Sequence, residues 1–180
     1  MTTSGVIDIR KHSFSSADHL FLDTNVWLSV YGALSHARNR SAVYSARLRD
    51  MRSAGCSIFI DVLVVSEFVN TYARWEYNQS DPKPAKFKDF RASAAFRPVA
   101  QDIAHNVRRI IRQCNCCNSG FSDVDLEALL AHYGKGQSDF NDQMIAEICK
   151  DKNLALVTDD ADFQATGLTI LTANRRLLPQ

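Results

Sequence analysis

Short apolar runs alternate along the chain with longer stretches of helical period. His19-Leu20-Phe21-Leu22 is cut off by Asp23-Thr24-Asn25, and Ser57-Ile58-Phe59-Ile60 by Asp61. Leu154-Ala155-Leu156-Val157 and Leu168-Thr169-Ile170-Leu171 are two further runs. A brief continuous apolar run bounded by turn formers reads as a strand buried on both faces. Asp, Thr and Asn make good N-caps, so helices are expected directly after the first two runs, the second continuing to about Tyr77. Residues 37–54 read as a helix rich in Arg38, Arg40, Arg47, Arg49 and Arg52, ended by Gly55. Asp81-Pro82-Lys83-Pro84 reads as a turn. From Pro98 to Cys114, the residues Ile103, Ala104, Val107, Ile110, Ile111 and Cys114 recur at helical offsets. Ser122 to about Tyr133 reads as another helix, broken by Gly134-Lys135-Gly136, and Ser138 is expected to cap one reaching about Lys152.

Buried strands separated by helices predict a three-layer α/β/α fold around a parallel sheet of about four or five strands. Residues 1–19 are polar and are expected to form a partly flexible extension, with 20–180 as a single domain. In open sheets of this kind, ligands bind beyond the carboxyl ends of the strands.

Acidic residues sit at those ends. Asp23 follows the first run, and Thr158, Asp159 and Asp160 follow the third. Glu67 lies two turns into the helix after the second run, and Asp142 one turn into the helix before the third. Helical phase places Phe140, Met144, Ile145, Ile148 and Cys149 on one arc, with Asp142 at its edge and Gln143, Glu147 and Lys150 opposite. Asp142 is thus carried inward, while Asp139 falls nearer the polar side. Glu67 lies off the face formed by Val65, Phe68, Val69 and Tyr72, as a solvated residue or one on a cleft rim would. Each acid has an ordinary reading as well, in a cap, a first helical turn or a loop. Together, carboxylates converging on one sheet edge repel unless a cation joins them, and Mg²⁺ or Mn²⁺ is the natural choice.

Charge sharpens this picture. The chain carries 21 Lys+Arg against 20 Asp+Glu, which excludes a uniformly basic nucleic-acid coat or an acidic tail. Locally the charge separates. Lys83 to Arg112 holds eight Lys or Arg, among them Arg108, Arg109 and Arg112, against Asp89 and Asp102, whereas Asp139 to Asp162 is acidic. A basic flank beside an acidic metal site suits a polyanion, although the three arginines also fit the solvated face of an amphipathic helix. Phe87, Phe90 and Phe96 could stack bases or pack in the core. No run approaches the ~18 apolar residues of a membrane span, and the expected location is the cytoplasm. The five cysteines are odd in number and three crowd into Cys114, Cys116 and Cys117, which is not a disulfide framework. With His132 they lack the paired spacing of a zinc site, and read as a helix end plus a loop.

Leu22-Asp23-Thr24-Asn25-Val26, Ser66-Glu67-Phe68, the stretch from Asp139 to Ala146, and the stretch from Leu156 to Phe163 resemble, in order, the motifs of the PIN (PilT N-terminal) domain nucleases, which include the VapC-like toxins. The resemblance covers about residues 20 to 172. It implies catalytic or metal-adjacent roles for Asp23, Glu67, Asp142 and Asp160, with Asp23, Asp142 and Asp160 as ligands. It implies auxiliary roles for Thr24, Asn25, Asp139, Thr158 and Asp162. The implied activity is metal-dependent endoribonuclease cleavage of RNA, leaving 5′-phosphate and 3′-hydroxyl ends. The implied setting is a toxin–antitoxin pair with an antitoxin protein as inhibitor. Residues 79–136 form a longer helical insertion than compact VapC-like members have, which keeps a non-toxin role in RNA processing open. Val62, Val65, Phe68, Val69, Tyr72 and Trp75 suit a homodimer or antitoxin interface as readily as a core. Two other readings weaken on the residues. An aspartyl phosphoryl-transfer enzyme would want an acid where Asn25 stands. A silent binding scaffold has no need of mutually repelling acids.

Overall fold

The computed structural model describes residues 5–32, 38–118, 120–136 and 139–179, apart from the side chains of residues 38–40 and 165. Six strands form one parallel sheet: β1 (Gly5–Asp8), β2 (His19–Leu22), β3 (Ser57–Ile60), β4 (Asn115–Cys116), β5 (Ala155–Val157) and β6 (Thr169–Thr172). Their spatial order is β1-β6-β5-β2-β3-β4. The chain moves outward one way, from β2 to β3 to β4, then returns past β2 to lay down β5 and β6 on the other side. Parallel crossovers are right-handed, so reversing direction puts the connecting helices on the opposite face of the sheet. Two helix groups result. In one, α1 (Thr24–Tyr31) packs on both α2 (Arg38–Ser53) and α3 (Val62–Gln79), and α3 on α4 (Phe87–Ala92) and α5 (Phe96–Ile111); in the other, α6 (Leu126–Tyr133) packs on α7 (Phe140–Asp151) beside a 3-10 helix, Ala161–Thr166. This is the three-layer architecture the apolar runs predict.

The central strands bury almost everything they carry. Leu20, Phe21, Leu22, Leu156, Val157, Ile170 and Leu171 are all buried, because helices cover both faces. Gly55 ends α2 with φ +75°, a conformation that costs glycine little and other residues more. Trp27 is fully buried and its indole N–H donates to the Leu22 carbonyl at 3.1 Å, tying α1 back onto β2.

Two strands lie beyond the four apolar runs, one at each sheet edge. Residues 5–19 were expected as part of a flexible extension, yet Gly5–Asp8 pairs with β6 and Ile9 is fully buried. β4 has two residues and pairs with β3 where a loop was expected. Both edge strands are short and carry polar residues, so neither presents the apolar run that marks a central strand. Ser138 lies outside the described residues, and the cap hydrogen bond of α7 is made by Asp139, which accepts from the Asn141 amide at 2.8 Å.

Candidate active site

The sheet reverses direction between β2 and β5, the switch point where open α/β sheets form their ligand crevice. Asp23 leaves the carboxyl end of β2 and Thr158 that of β5. The Asp23 amide donates to the Val157 carbonyl at 3.0 Å, so the two strand ends stay in register to the rim.

Asp23 is 5% exposed. One carboxylate oxygen accepts from the Thr24 amide at 2.6 Å. The other accepts from Asn25 Nδ2 at 2.6 Å and from the Thr158 hydroxyl at 2.7 Å. Burial pushes its pKa up to about 6 against the Thr158 hydroxyl and the Thr24 amide, with the charges of Glu67 and Asp160 adding to the rise. Asn25 also spans the switch point. Its Nδ2 donates to Thr158 Oγ1 at 3.1 Å, and its Oδ1 accepts the Asp159 amide at 3.1 Å. Thr158 Oγ1 in turn accepts the Asp160 amide at 3.0 Å, and Asp160 caps the 3-10 helix through the Asp162 amide.

Glu67 is exposed on α3, on the rim rather than the core, and the Thr24 hydroxyl donates to it at 3.0 Å. Of the expected apolar face of α3, Phe68 is buried and Val65 and Tyr72 pack partly buried against the core, whereas Val69 is 37% exposed and Val64 and Ala73 complete the buried side. Asp142 is half-buried in the first turn of α7. Its pKa is pushed up to about 7 by burial first, then by the charges of Asp23, Asp139, Asp160 and Glu67. Gln143, expected on the polar side of α7, is buried, because α6 packs over that side.

The fold therefore brings Asp23, Glu67, Asp142 and Asp160 into one electrostatically coupled group, with Thr24, Asn25 and Thr158 threaded between them. Asp139 and Asp162 are exposed at its edge. Among the described residues, none of the ion pairs engages any of the four acids. The described residues also close no three His, Cys, Asp or Glu side chains into a ready cation cage, at this group or at the cysteines. The donor set is carboxylate and hydroxyl oxygen with no basic side chain paired to it, which fits a hard divalent ion.

Other expected groups fall elsewhere. Arg108, Arg109 and Arg112 are exposed on and just after α5, and Arg109 stacks over the Tyr31 ring at 4.3 Å, at the far end of α1 from Asp23. Phe87, Phe90 and Phe96 join Tyr77 in an aromatic cluster with ring centroids 5.3–5.7 Å apart, in edge-to-face and tilted contacts, and Phe90 is buried; these rings pack on one another. Phe68 is core, while Val62 is 67% exposed.

Sequence reasoning missed two groups that hold the Thr158–Asp160 turn. Tyr44 of α2 is 1% exposed; its hydroxyl donates to Asp159 Oδ1 at 2.9 Å and accepts the Ala173 amide at 3.1 Å. Asn174 Nδ2 donates to the Asp159 carbonyl at 2.8 Å. Asn174 lies just past the carboxyl end of β6, so the strand-end rule that singles out Asp23 applies to it too. Tyr44 carries no such signal, since a helical tyrosine among arginines looks like any surface residue.

Residues 20–168 match the PIN domain family, and the chain belongs to it. PIN domains are generally metal-dependent nucleases acting on nucleic acids. Among solved structures, the crystal structure of PAE2754 from Pyrobaculum aerophilum is similar, with a TM-score of 0.49 and 15% identity, over 91% of this chain and 95% of that one. No curated protein matches the chain. No helix among the described residues is long and apolar enough to cross a membrane.

Proposed function

We propose that this PIN domain is a Mg²⁺- or Mn²⁺-dependent endoribonuclease, with Asp23, Asp142 and Asp160 as metal ligands and Glu67 completing the acidic group. The observation that carries the reading is the hydrogen-bonded group at the ends of β2 and β5, where Thr24 bonds both Asp23 and Glu67 and Thr158 bonds both Asp23 and the Asp160 amide, with Asp142 near enough for their charges to help raise its pKa to about 7 and, among the described residues, no ion pair to any of the four acids. A divalent ion at such a group supplies Lewis acidity to a phosphodiester and lowers the pKa of water. The chain's own residues do the positioning. Thr158 and Asn25 occupy Oδ2 of the Asp23 carboxylate and the Thr24 amide one lone pair of Oδ1, leaving the second Oδ1 lone pair for a ligand. Thr24 orients Glu67, and the Thr158 hydroxyl anchors the turn that presents Asp160. Arg108 and Arg112 offer the RNA backbone a basic flank.

The motif likeness to VapC-like members supports a role as the toxin of a cytoplasmic toxin–antitoxin pair, with an antitoxin protein or a homodimer partner on the exposed part of α3. The segment 79–136, which builds α4, α5, β4 and α6, favours a second reading as a non-toxin PIN nuclease in RNA processing. Cleavage of a defined RNA, with and without EDTA, tests the activity. The expected result is metal-dependent cleavage to 5′-phosphate and 3′-hydroxyl ends, lost in Asp23→Asn and in Asp142→Asn. Cleavage that survives both substitutions removes the assignment.

A further inference from the structure

A cleft of about 420 Å³ opens between α6, α7 and the 3-10 helix. It lies within the size range of small-ligand sites, and it shares a wall with the acidic group, since Asp142 and Asp162 both line it. Val124, Ala128, Leu129 and Ala146 give it apolar walls, and His132, Gln143 and Thr166 add uncharged polar groups. Asp125 and Glu147 bring its carboxylates to four against one lysine, Lys150, which Glu147 holds at 2.8 Å. A lining this acidic rejects a second phosphate. It suits an uncharged planar group between apolar walls that offers N–H donors, because carboxylates only accept. Of the parts of an RNA chain, a base with an exocyclic amine offers at least two N–H donors to such a lining, where uracil offers only its N3–H, and it is tethered to a backbone that would run past the shared Asp142 wall.

We propose that this cleft takes the amine-bearing base (adenine, cytosine or guanine) of the nucleotide beside the scissile phosphate, and so sets the sequence preference of cleavage. The cleavage part rests on the nuclease reading; the base-binding part does not.

The test uses the full chain and Ala128→Trp, which fills the cleft from an exposed position of α6 outside the acidic group. Amide chemical shifts are followed during titration with adenosine, cytidine and uridine, which carry no phosphate. Adenosine and cytidine are expected to shift Leu129, Gln143 and Ala146 saturably, uridine at least tenfold more weakly, and Ala128→Trp to abolish the effect. Should that variant unfold, Asp125→Asn keeps a cap acceptor for the Ala128 amide and is expected to weaken adenosine binding severalfold. In parallel, Mn²⁺-dependent hydrolysis of bis(4-nitrophenyl) phosphate, a diester without a base, is expected to be equal in both chains. The kcat/KM on RNA is expected to fall at least tenfold in Ala128→Trp, with base preference flattened. No saturable shifts, equal uridine binding, or an unchanged RNA preference in Ala128→Trp overturns the cleft assignment. Nucleoside binding without diester hydrolysis leaves the cleft standing and removes the nuclease reading instead.

Discussion

Replacing Asp142 with Asn separates the electrostatic account from any general loss of fold. The wild-type carboxyl is pushed from its ordinary 3.8 to about 7 by burial and by Asp23, Asp139, Asp160 and Glu67. A carboxyl whose pKa rises on folding contributes stability that is fully present below about pH 4 and lost as pH climbs through about 7. At pH 8 without divalent ions, the folded chain therefore bears the cost of ionising it. Taken in full, at 1.36 kcal/mol per pKa unit, the cost is about 4 kcal/mol. Asp142 is half open to water, which reduces this to about 1–2 kcal/mol. Asn carries no charge at any pH and escapes the cost. In EDTA the variant is expected to be more stable than wild type at pH 8 by that amount. For a chain of 180 residues this is roughly 2–8 °C in Tm, and the gap should close toward pH 4. Saturating Mn²⁺ should reverse the order, since binding at about 100 times Kd adds roughly 2.7 kcal/mol to the wild type alone. Thermal melts at pH 4 and pH 8, each with EDTA or Mn²⁺, measure all of this. A variant no more stable than wild type at pH 8 in EDTA, or a gap equal at both pH values, would show that Asp142 bears no such ionisation cost.

Further outcomes follow from other contacts. Tyr44→Phe leaves the Ala173 amide and Asp159 without their buried hydroxyl partner; it is expected to cost about 1–3 kcal/mol in urea denaturation and to lower cleavage at least tenfold, because the Thr158–Asp160 turn loosens. Unchanged cleavage in that variant would mean the turn is held without it. Thr158→Val removes the hydroxyl that donates to Asp23 and accepts the Asp160 amide, so Mn²⁺ affinity measured by calorimetry should fall at least tenfold. Neutralising Arg108 and Arg112 should weaken RNA binding and flatten its salt slope by about 1.4, at roughly 0.7 per phosphate contact on a single strand; an identical slope would place the RNA elsewhere. Those two are preferred to Arg109, whose guanidinium also packs on Tyr31.

The layers and the switch point were legible because β2, β3, β5 and β6 are buried on both faces and leave unmistakable apolar runs. Asp23, Asn25 and Thr158 could be found by the same route, since side chains immediately past a central strand have little choice of position. The edges were not legible. Val6 and Ile7 sit in a polar neighbourhood, and Asn115-Cys116 is too short to show a period. The roles of neighbouring acids were also hidden. Asp159 and Asp160 are adjacent in the chain, yet Tyr44 and Asn174 hold the first while the second reaches the acidic group, a division set by a helix and a strand end far away in sequence. Periodicity misplaced Gln143 for a related reason. It treats a helix as having one covered side, and α7 is covered by both the sheet and α6.

In the proposed nuclease, the carboxylates beyond β2 and β5 and at the start of α7 jointly hold a divalent ion. Crystals soaked in Mn²⁺ and measured at a wavelength giving manganese anomalous scattering test it directly. The account predicts an anomalous peak with oxygens of both Asp23 and Asp142 within about 2.0–2.6 Å. Manganese absent from this group, or bound without either of those two side chains, would contradict it.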